Sequence, residues 1–272
     1  MLSVKLKSWI YTSARKLRPV LPYGILANLR QWLFRYAHES DFEVFDWLPR
    51  VQGLVLDVGA SRGQSALSVL GRTQRMRVFS VEPNRKHRWS LLFICLLHPV
   101  RYRFRLVAAD NEVKRKLLHV PGRRASGLSA QGSLDPAEFD KDYVRERLAE
   151  SGFDTTDKAG YRLVPVQTMP LDNLSLAPDL IKLDVEGFEQ QALAGLQNTL
   201  RRHRPALLIE INNLQRWLPM LEALGYAFYY YDARARTLKN FDQHPCVLNL
   251  FCLHNSSDSE LTRILLDNAG CD

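Results

Sequence analysis

The chain has 272 residues, 46% of them hydrophobic, with 37 Lys and Arg against 29 Asp and Glu for a net charge of +8. That apolar fraction is too high for a disordered chain, and the length suits one α/β domain of about 250 residues with a short extension. Cys95, Cys246, Cys252 and Cys271 stand too far apart for a Cys-x-x-Cys metal pair and no His falls at zinc spacing beside them, which argues against a zinc module and a disulfide scaffold.

The excess positive charge sits at the start. Lys5, Lys7, Arg15, Lys16, Arg18, Arg30 and Arg35 face Glu39 as the lone acid of residues 1–40. Leu2, Val4, Leu6, Trp9, Ile10 and Leu17, then Leu26, Leu29, Trp32, Leu33 and Phe34, lie on either side of Pro19 and Pro22, the pattern of two basic amphipathic helices about a proline turn. Such a segment suits an anionic lipid surface or an acidic protein partner; packing of its apolar stripe on the main domain is the simpler expectation. No apolar run approaches the roughly 20 residues of a membrane span, and no apolar segment with a small-residue cleavage site opens the chain. The expected location is therefore the cytosol, with peripheral contact at the inner membrane face open to residues 1–40.

After Pro49, Leu54 to Gly59 reads as a strand ending in a glycine turn, with a helix starting at Ser65. Val78 to Pro83 repeats the scheme, an apolar run with an acidic end and a proline stop, before a helix over Arg88 to Leu97. A third strand is expected from Tyr102 to Ala109, a fourth within Asp179 to Gly187, then a helix from Phe188 to Arg202 and a strand from Ala206 to Ile211. Ala227 to Tyr231 and Val247 to His254 are two more strands, expected as an antiparallel edge pair. Strands this continuously apolar, alternating with helices, argue for a mostly parallel sheet covered on both faces. Ligands of such sheets bind beyond the carboxyl ends of the strands, where Asp57, Glu82, Asp184 and Glu210 fall.

The stretch from Asp110 to Pro178 is too long for a simple crossover and must hold added structure. Asp135, Pro136 and Glu138 signal a helix running to about Ser151, and Arg123, Arg124 and Ser126 stand in the loop before it, where insertions commonly shape substrate pockets.

Asp57-Val58-Gly59-Ala60-Ser61-Arg62-Gly63 is a strand-end acid followed by Gly-x-x-x-Gly. A nicotinamide dinucleotide site would want glycine where Ser61 stands, so that a pyrophosphate could approach a helix N-terminus. A ligand with an ammonium, a carboxylate and a ribose suits these residues better: Asp57 for the cation, loop N–H groups for the carboxylate and Glu82 for the ribose hydroxyls. S-adenosylmethionine is that ligand, and the separation of Asp57 and Glu82 is close to the roughly 20 residues at which a second-strand acid reaches a ribose.

From about Val51 to Leu253 the chain resembles the FkbM-type S-adenosylmethionine-dependent methyltransferases. The resemblance lies in Leu56-Asp57-Val58-Gly59-Ala60, Val81-Glu82-Pro83-Asn84, Val107-Ala108-Ala109-Asp110, Leu171-Asp172-Asn173-Leu174, Arg204-Pro205, Glu210 and above all Asp179-Leu180-Ile181-Lys182-Leu183-Asp184-Val185-Glu186-Gly187 with Glu189. It implies a class I methyltransferase fold, a doubly wound Rossmann-like sheet of seven strands, and O-methylation of a sugar, glycan or natural product. It also implies cofactor contacts from Asp57, Gly59, Ala60, Ser61 and Gly63, ribose contact from Glu82, and adenine surroundings from Asn84, Ala108 and Asp110. Ser61 and Arg62 stand where the family commonly shows Asn and a small or aromatic residue.

Strand parity puts Lys182, Asp184 and Glu186 on one side. An alcohol acceptor profits from a base within hydrogen-bond reach, which makes Asp184 the first candidate for base or acceptor anchor and Glu186 the second, with Lys182 holding their geometry. Two alternating acids could also bind a divalent cation, but no third ligand stands out and no metal is expected. The fourth strand lacks the proline-containing loop of base-modifying amine methyltransferases, which disfavours nucleic acid as a substrate. The partition expected is a basic helical extension over 1–48, the methyltransferase domain over 49–256 and a C-terminal helix over 257–272. A competing reading is an inactive Rossmann-like module that meets a membrane or protein through its basic segment.

Overall fold

The computed structural model describes residues 24–121, 132–136, 161–242 and 247–270, with positions 10, 12–14 and 22 besides. Most of the first amphipathic helix, the Arg123, Arg124 and Ser126 loop and all but the first residue of the helix from Pro136 lie outside the described residues.

The sequence alternation becomes a single large sheet. Helix α1 (Ile25–Phe34) and a 3-10 turn (Ser40–Trp47) lead into β1 (Gly53–Val58), α2 (Gln64–Arg72), β2 (Met76–Val81), α3 (Arg88–Leu97) and β3 (Tyr102–Arg105). Then come β4 (Ala108–Ala109), β5 (Arg115–Pro121), β6 (Tyr161–Met169), β7 (Leu180–Leu183), α4 (Glu189–Ala194), α5 (Gln197–His203) and β8 (Ala206–Glu210). The chain continues through α6 (Leu214–Ala223), β9 (Tyr226–Asp232), β10 (Thr237–Asn240), β11 (Asn249–His254) and α7 (Glu260–Asp267). Eight strands pair in the order β10-β9-β11-β8-β7-β1-β2-β3, and β4, β6 and β5 make a separate small sheet. All pairs from β3 to β8 are parallel, while β11 runs antiparallel to both β8 and β9. This is the class I methyltransferase arrangement with one strand more than the seven expected, because β10 extends the edge. The expected antiparallel pair forms between β9 and β11, but not at the edge: β11 lies inside the sheet, with Leu250, Phe251, Cys252 and Leu253 fully buried, and β10 takes the rim.

Two elements differ from the sequence expectation. The strand expected over Tyr102 to Ala109 divides, since β3 pairs with β2 whereas β4 turns away to pair with β6. The helix expected from Phe188 to Arg202 breaks into α4 and α5 at Gly195, where a side chain would meet the Asp110 carbonyl oxygen at 2.0 Å. Asp172 then caps the second piece, accepting from the N–H of Asn198 and of Thr199, each at 2.9 Å.

The residues before β1 are part of the same core. Phe42, Phe45 and Leu48 are at most 1% exposed, each worth about 1.5–3 kcal/mol of burial, and they cluster with Val55 of β1 and Leu261 and Leu265 of α7. The buried face of α1 is not purely apolar: Asn28 and Gln31 are buried beside Leu33. Among the described residues no helix is long and apolar enough to cross a membrane.

Candidate active site

Strand order reverses at β1, which has β2 and β3 on one side and β7 and β8 on the other. Helices leaving opposite faces at such a point leave a crevice above the strand tips. Here it is a cavity of about 330 Å³ walled by residues from the ends of β1, β2, β7 and β8. The small sheet supplies another wall through Leu118, with Gly132 and Leu134 beside it. It is tied down by the Ser133 hydroxyl, which donates to the Glu186 carbonyl at 2.6 Å.

The loop after β1 is held by its own backbone. The N–H groups of Gly59 and Ala60 donate to the Val81 carbonyl at 3.0 and 3.1 Å, and that of Gly63 to the Ala60 carbonyl at 2.7 Å. Gly59 has φ +80°, and a Cβ there would stand 1.7 Å from the Asp184 carbonyl oxygen, so only glycine lets β1 and the end of β7 approach this closely. Ser61 has φ 47°, a left-handed conformation costing a non-glycine residue about 1–2 kcal/mol. Glu82 stabilises it, accepting from the Ser61 N–H and the Asn84 N–H at 2.7 Å each. Burial pushes the Glu82 pKa up to about 7 although both bonds pull it down. Arg62 turns away from the cavity, its side chain packed where a Cβ on Gly24 would be.

A charged row crosses the sheet beneath and beside the cavity. Register sets Asp57 opposite Ser80 on one side and Lys182 on the other. The Ser80 hydroxyl donates to Asp57 at 2.8 Å, and the Lys182 ammonium lies 2.7 Å from Asp184. Asp57 and Lys182 are 1% and 6% exposed. Burial lowers the Lys182 pKa, but Asp184 and Asp57 outweigh it and keep the ammonium charged. Burial would likewise raise Asp184, yet Lys182 and a hydrogen bond from Glu210 hold its pKa below the usual carboxylate value. Glu210 goes the other way, lifted by burial and by Asp184 and Glu186, so it carries the proton of that bond. Asp184, Glu186 and Glu210 bring oxygens within 4.8 Å of one another, so Glu210, expected at a strand tip, is the third possible cation ligand that spacing along the chain did not offer. The Lys182 ammonium, 2.7 Å from Asp184, stands beside this group of acids.

The N-terminal segment closes the remaining side. The Asn28 side chain donates to the Arg62 carbonyl at 2.7 Å and that of Gln31 to the Gln64 carbonyl at 2.8 Å, so α1 grips the loop between β1 and α2. This docking delivers His38 and Glu39 to the cavity wall.

A family model described as the Methyltransferase FkbM domain matches residues 57–228. The chain belongs to this family. Among solved structures it is similar to a methyltransferase FkbM from Methylobacillus flagellatus KT, with 17% identity and a TM-score of 0.47 over 88% of this chain and 57% of that one. It is also similar to a precorrin-6y C5,15-methyltransferase from Geobacter metallireducens GS-15, at 11% identity and a TM-score of 0.39 over 78% of this chain and 84% of that one. A further likeness is to an rRNA methylase from Streptococcus thermophilus, at 9% identity and a TM-score of 0.37 over 80% and 94% of the respective chains. The chain thus spans little more than half the length of the Methylobacillus protein, and at such scores the fold assignment rests on the strand order itself. Among curated proteins no sequence relative matches.

Within the matched stretch, the cavity wall contains Gly59, Ala60, Ser61, Glu82, Asn84, Ala108, Lys182, Asp184 and Glu186 of the residues singled out from sequence. The other three stand behind the wall. Asp57 is bound to Ser80 under the floor, Gly63 packs where a Cβ would meet Ile94, and Asp110 is buried with its carboxylate 2.6 Å from Lys116. The loop N–H groups foreseen for a ligand carboxylate are spent on Val81, Glu82 and Ala60. Sequence reasoning missed His38, Glu39, Leu118, Phe188 and Leu248, all in the wall. The one available signal was Asn28 and Gln31, polar residues three apart within an apolar helical pattern, which mark a face docked onto backbone.

Proposed function

We propose that this protein transfers the methyl group of S-adenosylmethionine to a hydroxyl of a sugar, glycan or natural product. The observation that carries the reading is one cavity with two chemically distinct ends. At one end Glu82 and Asn84, both nearly fully buried, meet the small side chains of Ala108 and Ala109. A carboxylate beside a flat apolar shelf suits a ribose and an adenine. At the other end Lys182, Asp184, Glu186 and Glu210 form a polar pocket suited to an acceptor with hydroxyl groups. The buried Ser61 hydroxyl has no hydrogen-bond partner among the described residues and lies in the wall between them, the kind of orphaned group that a polar ligand satisfies.

When bound, the donor supplies a methyl carbon on a positively charged sulfur. Glu82 would hold its ribose, using the oxygen lone pairs not taken by Ser61 and Asn84. The chain's main contribution is orientation, which can supply about 7–11 kcal/mol of the barrier when two reactants are held in line. Asp184 serves as anchor: an ionised carboxylate with its charge fixed by Lys182 accepts a hydrogen bond from an acceptor hydroxyl and aims it, but is a weak base. Calorimetry with S-adenosylmethionine tests the reading. Saturable binding to wild type that falls at least tenfold in Glu82→Ala supports it. Equal heats from NADH, or binding indifferent to Glu82→Ala, would remove it.

A further inference from the structure

The methyl-transfer reading leaves one role unfilled. Asp184 is tied to Lys182 at 2.7 Å, so it is not free to take a proton from an acceptor hydroxyl. Another group in the same wall is. His38 and Glu39 precede the matched stretch and Leu248 follows it, yet all three line the cavity with Asp184.

The connections of His38 resemble those of a mounted base. Its backbone N–H donates to the Ser68 hydroxyl at 2.9 Å, which also receives the Gln31 amide at 3.1 Å, so the residue is fixed to α2. Its imidazole Nε2 lies 3.4 Å from Glu39 Oε1. The other Glu39 oxygen accepts from the Asn249 amide at 3.0 Å, and that amide also donates to Asp41 at 2.7 Å. Asn249 in turn sits in register with Glu210. At 3.4 Å the Glu39 contact is electrostatic rather than a hydrogen bond, and an oriented carboxylate beside one imidazole nitrogen favours the proton there and the lone pair on the other. Here that lone pair belongs to Nδ1.

Resting on the methyl-transfer reading, we propose that His38 is the base of the reaction, mounted on a Glu39–Asn249 relay that the two flanks of the family domain supply. The acceptor O–H bond breaks as its oxygen bonds to the methyl carbon. The proton goes to Nδ1, and the electron pair of the broken carbon–sulfur bond stays on sulfur, which becomes neutral. The imidazolium then releases the proton to water, to which 39% of the His38 side chain is open. The charged groups that act on His38 are Glu39 and Asp184, which raise its pKa, and Lys182 and Arg62, which lower it; burial is the largest influence and holds the imidazole neutral near pH 7.

Nitrogen-15 NMR of the histidine-labelled full chain reads the arrangement without any acceptor, with His38→Gln supplying the assignment. At pH 7.5 the expected signal is a neutral ring protonated on Nε2, and Glu39→Gln should abolish that tautomer preference. A ring protonated on Nδ1, a charged ring, or no response to Glu39→Gln overturns the proposal. In turnover of S-adenosylmethionine with pooled methyl glycosides, His38→Gln should lower kcat by about 10²–10⁴-fold and erase the acid-side inflection of the pH profile. Donor affinity by calorimetry should stay within twofold. Retained turnover with that inflection intact overturns this proposal alone. Loss of donor binding in His38→Gln assigns the imidazole to the donor instead, which also overturns it. Failure of wild type to bind the donor removes the methyl-transfer reading itself.

Discussion

Replacing Lys182 with methionine keeps the volume of the side chain and removes the cation from the centre of the charged row. Asp57, 1% exposed, and Asp184, whose side chain is 32% exposed, then lose their shared counter-ion. Removing one partner of a buried pair costs about 3–5 kcal/mol. Asp184 can recover part of this by turning to water, while Asp57 cannot, so we expect a loss of roughly 2–4 kcal/mol at pH 7.5. For a chain of this size that is a drop in Tm of about 5–15 °C. Direction with pH gives a sharper check. Burial already raises the Asp57 pKa against the pull of Lys182, and without Lys182 it rises further. A group whose folded pKa exceeds its unfolded value contributes stability at low pH that is lost as pH rises through the folded pKa. The deficit of Lys182→Met should therefore shrink as pH falls from 8 to 5, and Lys182→Met/Asp57→Asn should recover much of it. Urea unfolding followed by circular dichroism at both pH values measures this. A variant as stable as wild type at pH 7.5, or a deficit that grows toward pH 5, would refute the reasoning.

Three further outcomes follow from single contacts. Gly59→Ala places a methyl group 1.7 Å from the Asp184 carbonyl at positive φ; urea melts should show a loss of about 2–5 kcal/mol from conformation and overpacking together. Gln31→Leu withdraws the amide that donates to Gln64 at 2.8 Å; a loss of about 1–2 kcal/mol is expected, with faster amide exchange at His38. Glu189 uses Oε1 for the Gly187 N–H at 3.1 Å, while burial pushes its pKa up to about 7. Its contribution is therefore lost as pH rises through 7, and Glu189→Gln should flatten the fall in Tm between pH 5.5 and 8.

The sheet was legible because its strands are apolar runs closed by an acid or a proline, and Asp57, Glu82, Asp184 and Glu210 stood at the tips as their order implied. Two things were not legible. The close approach of Gly195 to Asp110 joins residues distant in sequence and leaves no room for a side chain there. His38 carries no local motif; it enters the cavity because Asn28 and Gln31 anchor α1 to a loop more than thirty residues onward. Spacing in the chain also cannot distinguish an acid in the wall from one beneath it, which is how Asp57 and Asp184 differ.

What occupies the space above β1 and β2 decides the function of the cavity. A crystal structure of the protein soaked with S-adenosylhomocysteine should show the ribose on Glu82, the adenine between Asn84 and Ala108, and the sulfur facing Asp184. Density for the nucleoside anywhere else, or a Glu82 carboxylate still bound to Ser61 and Asn84 alone, would contradict the methyl-transfer reading.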